Sequence, residues 1–161
     1  MQLGMICVGK MKAGPERDLL ERYCDRIKKS APQLGMSWGG ITEHAESRAS
    51  DAKTRKSQEA ASIIGHIKSD RAALIVLDES GHDISSDNWA QLVARFRDEG
   101  RTSCVLAIGG ADGHGHEVRT RADQLVSFGK QTMPHQLVRI IAAEQLYRLI
   151  TILSGHPYHR Q

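Results

Sequence analysis

Three short runs of consecutive apolar residues stand out from the more polar chain around them: residues 3–8, 74–77 and 105–108. A strand of a parallel sheet is covered on both faces, so its residues are apolar without alternation. The runs therefore predict three buried strands. Two weaker strands are predicted over residues 34–41, which three glycines interrupt, and over residues 125–126.

Between these runs, apolar residues recur every three or four positions, which is the spacing of a helix with one buried face. Pro15 suits the first turn of a helix and Pro32 ends it, while Ser85 or Ser86 caps a later helix that Gly100 closes. The predicted helices cover residues 15–31, 60–67, 85–99, 116–123 and 135–153. Strands that alternate with helices predict an α/β fold, with a mostly parallel sheet flanked by helices. A chain of 161 residues is enough for one such domain over its whole length.

Glycines directly follow the third buried run. Gly109 and Gly110 lie at the carboxyl end of the strand predicted over residues 105–108, where open α/β sheets bind ligands. Glycine lets the backbone turn sharply and lets a ligand approach main-chain groups closely. Residues 78–81 are predicted to form another loop, at the end of the preceding strand. The residues alone leave two interpretations open, a ligand-binding loop and an ordinary turn.

The last predicted helix carries more apolar surface than one sheet covers. Its polar residues Glu144, Gln145, Arg148 and Thr151 fall within about 120° of arc, and nearly all the rest is apolar. We expect the surplus to pack against a second copy of the chain in a homodimer, although a helix enclosed within the monomer has the same pattern. Arg139 lies among the apolar positions, and its charge requires an acid, backbone carbonyls or a ligand as partner.

The composition restricts the classes of function that the chain could have but does not identify one. A net charge of +3 permits a nucleic-acid partner but does not require one, and low aromatic content argues against base stacking on a sheet. Three scattered cysteines favour the reducing cytoplasm, and neither a signal peptide nor a membrane span is predicted. The basic segment 44–57 is a solvated loop, the first turns of a helix, or an arm that contacts phosphates.

The end of the chain is rich in groups that titrate or form hydrogen bonds: His156, Tyr158, His159 and Arg160. Such groups suit the orientation of a base and a phosphate, whereas a passive tail is usually disordered. A His-x-His sequence elsewhere lacks a third ligand at suitable spacing, so no metal site is predicted. The chain also lacks the glycine motifs of dinucleotide and P-loop sites and the nucleophile elbow of hydrolases.

Five short motifs, in their order and spacing, resemble those of one family. They are Leu77-Asp78-x-x-Gly81, Ile108-Gly109-Gly110-Ala111-Asp112-Gly113, Met133-Pro134-His135-Gln136-Leu137-Val138-Arg139, Glu144-Gln145-Leu146-Tyr147-Arg148 and His156-Pro157-Tyr158-His159-Arg160. Together with the length of the chain, they are similar to the ribosomal RNA large subunit methyltransferase H proteins, small bacterial enzymes of the SPOUT class. The likeness runs from the first strand to the last residues.

This resemblance implies a fold and a cofactor. The fold it implies is a single α/β domain with a C-terminal deep trefoil knot, in an obligate homodimer. S-adenosylmethionine is expected to lie in the knot, held mainly by backbone groups of three loops. The matching positions in this sequence are Leu77, Gly109, Gly110, Phe128, Gly129, Lys130, Gln131, Thr132 and Met133.

The resemblance also implies a reaction, the methylation of N3 of a pseudouridine at the 1915-type position of 23S rRNA on the assembled 70S ribosome. No membrane and no DNA are involved. The tail of one subunit is expected to complete the partner's site, with His159 as base or orienting group and with Tyr158 and Arg160 positioning the nucleotide. Arg139, beside the cofactor loop, is expected to meet a phosphate or to brace the site.

One position departs from the family pattern. His82 follows Gly81 where many members have lysine, and RNA binding at neutral pH is expected to weaken if that lysine contacts phosphate. Two rival functions stay open, a knotted methyltransferase with another RNA target such as tRNA and a non-catalytic ribosome-binding module. The absence of an added RNA-binding domain argues against the first, and the intact glycine loop and tail argue against the second.

Overall fold

A computed structural model of the chain describes residues 1–67 and 69–159. The strands in these residues are β1 Gln2–Val8, β2 Ser37–His44, β3 Ala72–Asp83, β4 Ser103–Ile108 and β5 Gln124–Ser127. They form a parallel sheet in the order β2-β1-β4-β3-β5. All the predicted strands are present, and the three apolar runs form its three inner strands.

Helices cover both faces of the sheet. Those in the described residues are α1 Pro15–Ser30, α2 Ala52–His66, α3 Ser86–Asp98, α4 His116–Arg121 and α5 His135–Leu153, with a 3-10 turn at Ala31–Leu34. On one face α1, α3 and α5 enclose a core that includes Ile27, Trp89 and Leu149. On the other face α2 and α4 bury Ile63 and Val118. No helix in this part of the chain combines the length and apolar character that a membrane crossing needs.

Polar side chains fix where two of the helices begin. The Ser85 hydroxyl accepts a hydrogen bond from the Asn88 N–H at 3.1 Å, which confirms the predicted cap of α3. The Asp51 carboxylate caps α2 in the same way, accepting from the Thr54 N–H at 2.8 Å. The basic segment before the apolar stripe is therefore divided between a loop and the first turns of α2.

The predicted start of β2 is wrong. The strand begins at Ser37, not at residue 34, because the preceding residues close the 3-10 turn. Gly35 leaves that turn with a φ of 68°, a left-handed conformation that suits glycine. The glycines inside the strand are tolerated at its place on the edge of the sheet.

The end of β3 passes close over β5. The loop predicted at residues 78–81 is wrong, because β3 continues through them to Asp83. Leu77 and His82 both pair with Val126 of β5, so the residues between them bulge out of the ladder. This extension is polar in sequence because its residues are half-buried or exposed.

We expect Gly81→Ala to lower the free energy of unfolding by about 1–3 kcal/mol. A Cβ at this position would lie 2.5 to 2.7 Å from three backbone atoms of Val126, which cannot move without disturbing β5. Urea unfolding measures the effect. Gly65→Ala in α2 is the matched control, because nothing lies within 4 Å of its Cβ position. Wild-type stability of Gly81→Ala would contradict the close approach of β3 to β5.

Helix α5 is largely enclosed by the monomer. Nine of its residues are buried, and it packs against α1 and α3. Thr151, predicted on the polar face, is 1% exposed and donates its hydroxyl to the Arg148 carbonyl at 2.7 Å. Leu137, 47% exposed, is the large hydrophobic residue that the described chain leaves open to solvent. The monomer itself therefore covers most of the apolar surface of α5 that favoured a homodimer. The dimer stays a prediction.

Candidate functional site

A cavity of about 400 Å³ opens at the carboxyl edge of the sheet. Three segments line it: the end of β3, the glycine loop after β4 and the loop between β5 and α5. Each position that matches a family cofactor residue lies on its wall: Leu77, Gly109, Gly110, Phe128, Gly129, Lys130, Gln131, Thr132 and Met133. The structure thus brings the three predicted loops together, because parallel strands present their carboxyl ends at one edge.

The glycine loop turns back on itself. The Gly113 N–H donates to the Gly110 carbonyl at 3.0 Å, and Gly113 has a φ of 78°. A Cβ on Gly110 would lie 2.9 Å from a carboxylate oxygen of Glu59 and 3.1 Å from a methyl group of Val8. A side chain at Gly110 would therefore have to push aside the Glu59 carboxylate and press on Val8, so this close approach favours glycine.

A bidentate ion pair fixes the glycine loop to α2. Arg55 donates to the two carboxylate oxygens of Asp112 at 2.6 and 3.2 Å, and also to the carbonyls of Ala49 and Ser50. The hydrogen bonds from Arg55 lower the pKa of the Asp112 carboxyl below its usual range. The sequence assigns Arg55 only to a basic segment of open role. In the structure it anchors the wall of the cavity, and the adjacent Lys56 lines it.

The loop before α5 is shaped by contacts of its own residues. The Ser127 hydroxyl donates to the Gly129 carbonyl and accepts from the Gly129 N–H, both at 3.0 Å. Phe128 packs against Trp89 of α3, with ring centroids 5.7 Å apart. These contacts hold the loop against the core.

Asp78 places a carboxylate on the wall of the cavity. Its Oδ1 accepts from the N–H and the hydroxyl of Ser80, and Arg119 Nε lies 3.7 Å from its Oδ2. Burial opposes ionisation, yet the Ser80 hydrogen bonds and the charge of Arg119 lower the pKa of Asp78 below its ordinary value. The carboxylate is therefore charged at neutral pH and suits a cationic ligand group. Sequence reasoning missed Arg119, whose only signal was its place on a short polar helix.

Arg139 lies outside the cavity and is 3% exposed. Its Nη1 lies 2.9 Å from Glu43 Oε1, and its Nη2 donates to the carbonyls of Val8 and Gly9 at 2.7 and 3.0 Å. Of the partners that the sequence allowed, the structure shows an acid and backbone carbonyls. These bonds tie α5 to the carboxyl ends of β1 and β2. The geometry fits a bracing role, which stays a prediction, and offers no contact with a ligand in the cavity.

The tail packs against the polar residues of α5. Tyr158 donates its hydroxyl to Glu144 at 3.0 Å, and the Arg148 guanidinium lies 5.0 Å from the centre of its ring. His159 Nδ1 lies 3.3 Å from an Arg148 nitrogen, and its Nε2 lies 3.7 Å from Asp87. Burial, together with hydrogen bonds to a neighbouring tyrosine and to Glu144, raises the pKa of the Tyr158 phenol.

The described part of the tail, up to His159, does not reach the cavity of its own chain. Tyr158 and His159 are absent from the cavity wall, and Arg160 lies outside the described residues. A site made of both the loops and the tail requires the tail of a second chain. His82, on the extension of β3, does not line this wall either. In residues 1–67 and 69–159, no three histidine, cysteine or acidic side chains are grouped to hold a metal ion.

Comparison with known proteins identifies the class to which this fold and cavity belong. The family model described as "Predicted SPOUT methyltransferase" matches residues 1–159. The chain therefore belongs to the SPOUT methyltransferase family.

Within that family the chain groups with the ribosomal RNA large subunit methyltransferase H proteins. That of Rhizobium leguminosarum bv. trifolii is 50% identical over 160 residues, and that of Brucella anthropi is 50% identical over 161 residues. Each alignment covers 99% of this chain and 99% of the relative. The chain was also compared with a solved structure, that of the SpoU methyltransferase AviRb from Streptomyces viridochromogenes in complex with the cofactor AdoMet. The alignment has a TM-score of 0.41 and 12% sequence identity. It covers 96% of this chain and 61% of that chain. At that level of similarity no structural detail is carried over.

Proposed function

We propose that this protein is an S-adenosylmethionine-dependent methyltransferase that modifies N3 of a pseudouridine in 23S rRNA on the assembled 70S ribosome. The main support is the convergence of three motif-bearing loops on one cavity at the carboxyl edge of the sheet. Relatives of about half identity over the full length carry the name ribosomal RNA large subunit methyltransferase H, which supports an rRNA target.

The cavity suits S-adenosylmethionine in size and in chemistry. Its volume of about 400 Å³ lies within the usual range of small-molecule sites. Leu77, Ile108 and Val138 offer apolar walls to a purine, and the glycine loop offers backbone N–H and C=O groups to its edge. Asp78 and Glu79 offer carboxylates to an ammonium and a sulfonium. These are the residues that would hold the cofactor.

The chain's own residues must place the target base and remove its proton. S-adenosylmethionine supplies a methyl group that its sulfonium sulfur already makes electrophilic. What is left to the protein is to align N3 with that methyl and to accept the N3 proton. His159 is the proposed acceptor because a neutral imidazole nitrogen can accept a proton, and Tyr158 and Arg160 orient the base and a phosphate.

A homodimer belongs to this proposal, since Tyr158 and His159 lie away from the cavity of their own chain and are proposed to complete the site of a partner. The exposed Leu137 on α5 offers an apolar contact for that dimer. The deep trefoil knot in the C-terminal part and a cytoplasmic location are also proposed, and membership of the SPOUT family supports the knot.

Transfer of a labelled methyl group tests the function. The assay compares 70S ribosomes from a strain that lacks the cognate enzyme with free 23S rRNA and with tRNA. We expect label on the ribosomes alone, mapped to a pseudouridine. Label on tRNA or on free rRNA would support the proposed cofactor site and contradict the proposed substrate, the assembled ribosome. Cofactor binding without transfer to any of the three would favour a non-catalytic ribosome-binding module.

A further inference from the structure

His114 is a buried polar side chain beside the cavity. It follows the glycine loop, lines the cavity wall and is only 7% exposed. Both of its ring nitrogens are shielded from solvent, and neither makes a hydrogen bond of good geometry, although the backbone of Leu77 and of Ala107 lies close enough to interact with the ring. Burying polar atoms without partners is costly, so this residue calls for a role that offsets the cost.

The ring packs directly against the backbone of the glycine loop. A Cβ on Gly109 would lie 3.2 Å from His114 Nε2 and 3.3 Å from its Cδ2. The ring also borders a small void whose other lining residues include Val8, Ile63 and Val118. Because Gly109 lines the cavity as well, the position of the imidazole sets the position of backbone that a bound ligand faces.

Charged groups surround His114 on three elements. Burial is the largest influence, and it lowers the pKa of His114 below its ordinary value. Asp78 of β3 and the backbone of Leu77 and Ala107 favour the protonated ring, and Arg119 of α4 opposes it. Glu59 of α2 lies on the same small void. The ring is therefore neutral at pH 7, and a charged ring would be drawn towards solvent or towards Asp78.

We propose that His114 is a positioning residue for the cofactor: its neutral ring holds the Gly109–Gly113 loop in the shape that binds S-adenosylmethionine, and protonation of the ring releases that shape. This inference rests on the proposed function of the cavity. A ring that moves on protonation displaces the backbone of Gly109 packed against it. Proton uptake and cofactor binding therefore oppose each other, and the affinity falls as the pH falls.

The same pKa shift acts on stability with a defined sign. The pKa of His114 in the folded chain lies below that of an unfolded histidine, about 6.5. The unfolded chain thus binds this proton more readily than the folded chain. The contribution of neutral His114 to stability is complete above about pH 6.5 and is lost as the pH falls towards the folded pKa.

Calorimetric titration with S-adenosylmethionine, between about pH 5.5 and pH 8, tests the proposal on the wild type, His114→Leu and His66→Gln. For the wild type we expect the dissociation constant to rise as the pH falls, approaching about tenfold per pH unit below the pKa of His114. His114→Leu cannot take up a proton, so its dissociation constant should lose that part of the pH dependence. His66→Gln is the matched control, because His66 is exposed and does not line the cavity, and it should keep the wild-type dependence.

Equal pH dependence in the wild type and in His114→Leu would overturn the inference and leave the proposed function standing. If His114→Leu does not fold, an NMR titration of the His114 ring in the wild type decides the question. Binding of S-adenosylmethionine should lower the pKa of that ring, because linkage is reciprocal, and an unchanged pKa would overturn the inference. Failure of the wild type to bind S-adenosylmethionine at about pH 8 would reject the proposed function, and the inference with it.

Discussion

Replacing Glu43 with alanine is expected to lower the free energy of unfolding by about 3–5 kcal/mol. The substitution leaves the guanidinium of Arg139, whose side chain is 3% exposed, without its opposite charge. The same carboxylate accepts hydrogen bonds from the Met11 N–H at 2.9 Å and from Arg17 at 3.1 Å, so these contacts are lost as well. Urea unfolding followed by circular dichroism measures the change.

Glu99→Ala is the matched control for this experiment. Its contact with Arg95 at 3.8 Å is well exposed, and such pairs contribute about 0–1 kcal/mol. Adding Arg139→Met to Glu43→Ala should recover part of the loss, because the unpaired buried charge is then removed. A loss below about 1 kcal/mol in Glu43→Ala would contradict the interpretation of Arg139 as a buried brace.

The second large effect is expected in catalysis. His159→Ala should reduce methyl transfer to ribosomes by about 10²–10⁴-fold, the usual contribution of a general base. The dissociation constant of S-adenosylmethionine should change little, because the residues proposed to hold the cofactor lie on the cavity loops, whereas His159 is proposed to face the target base. His66→Ala, an exposed histidine at the end of α2, is the control and should retain wild-type turnover. Turnover of His159→Ala within about tenfold of the wild type would show that His159 is not the general base.

Mixed dimers test whether the tail acts on the partner's cavity. Gly110→Val places a side chain against Glu59 beneath the glycine loop and should abolish cofactor binding. Co-expressed with His159→Ala, it forms dimers in which one chain has an intact cavity and the other an intact tail. Random pairing should restore about a quarter of wild-type activity if the tail acts on the partner. Isolated mixed dimers without activity would contradict a shared site.

The inner strands could be predicted from sequence because helices on both faces leave each of them with a continuous apolar run. The runs at residues 3–8, 74–77 and 105–108 all form strands of the sheet. The extension of β3 over residues 78–83 could not be predicted in this way. Its side chains are polar, and its pairing with β5 depends on a segment far away along the chain.

The cavity could be predicted for a related reason, since loops at the carboxyl ends of parallel strands meet at one edge. The contacts that support the cavity wall could not be predicted from the sequence. Arg55 and Asp112 are 57 residues apart and read as ordinary surface charges until the fold pairs them. His114 has polar and glycine neighbours in sequence, and only the packing of α2 and α4 around it makes it a buried group. The partners of Arg139 likewise depended on the tertiary fold.

The order of strands also bears on how the chain is made. β4 lies between β1 and β3 in the sheet, although it is synthesised after both. Until Ser103–Ile108 leaves the ribosome, the pair of β1 and β2 shares no strand with β3, and each piece presents an unpaired edge. Such long-range pairing slows folding and keeps partly folded chains exposed to aggregation. A chain that ends before β4 should therefore accumulate as aggregate, and the nascent protein needs shielding from its neighbours until most of it has been translated.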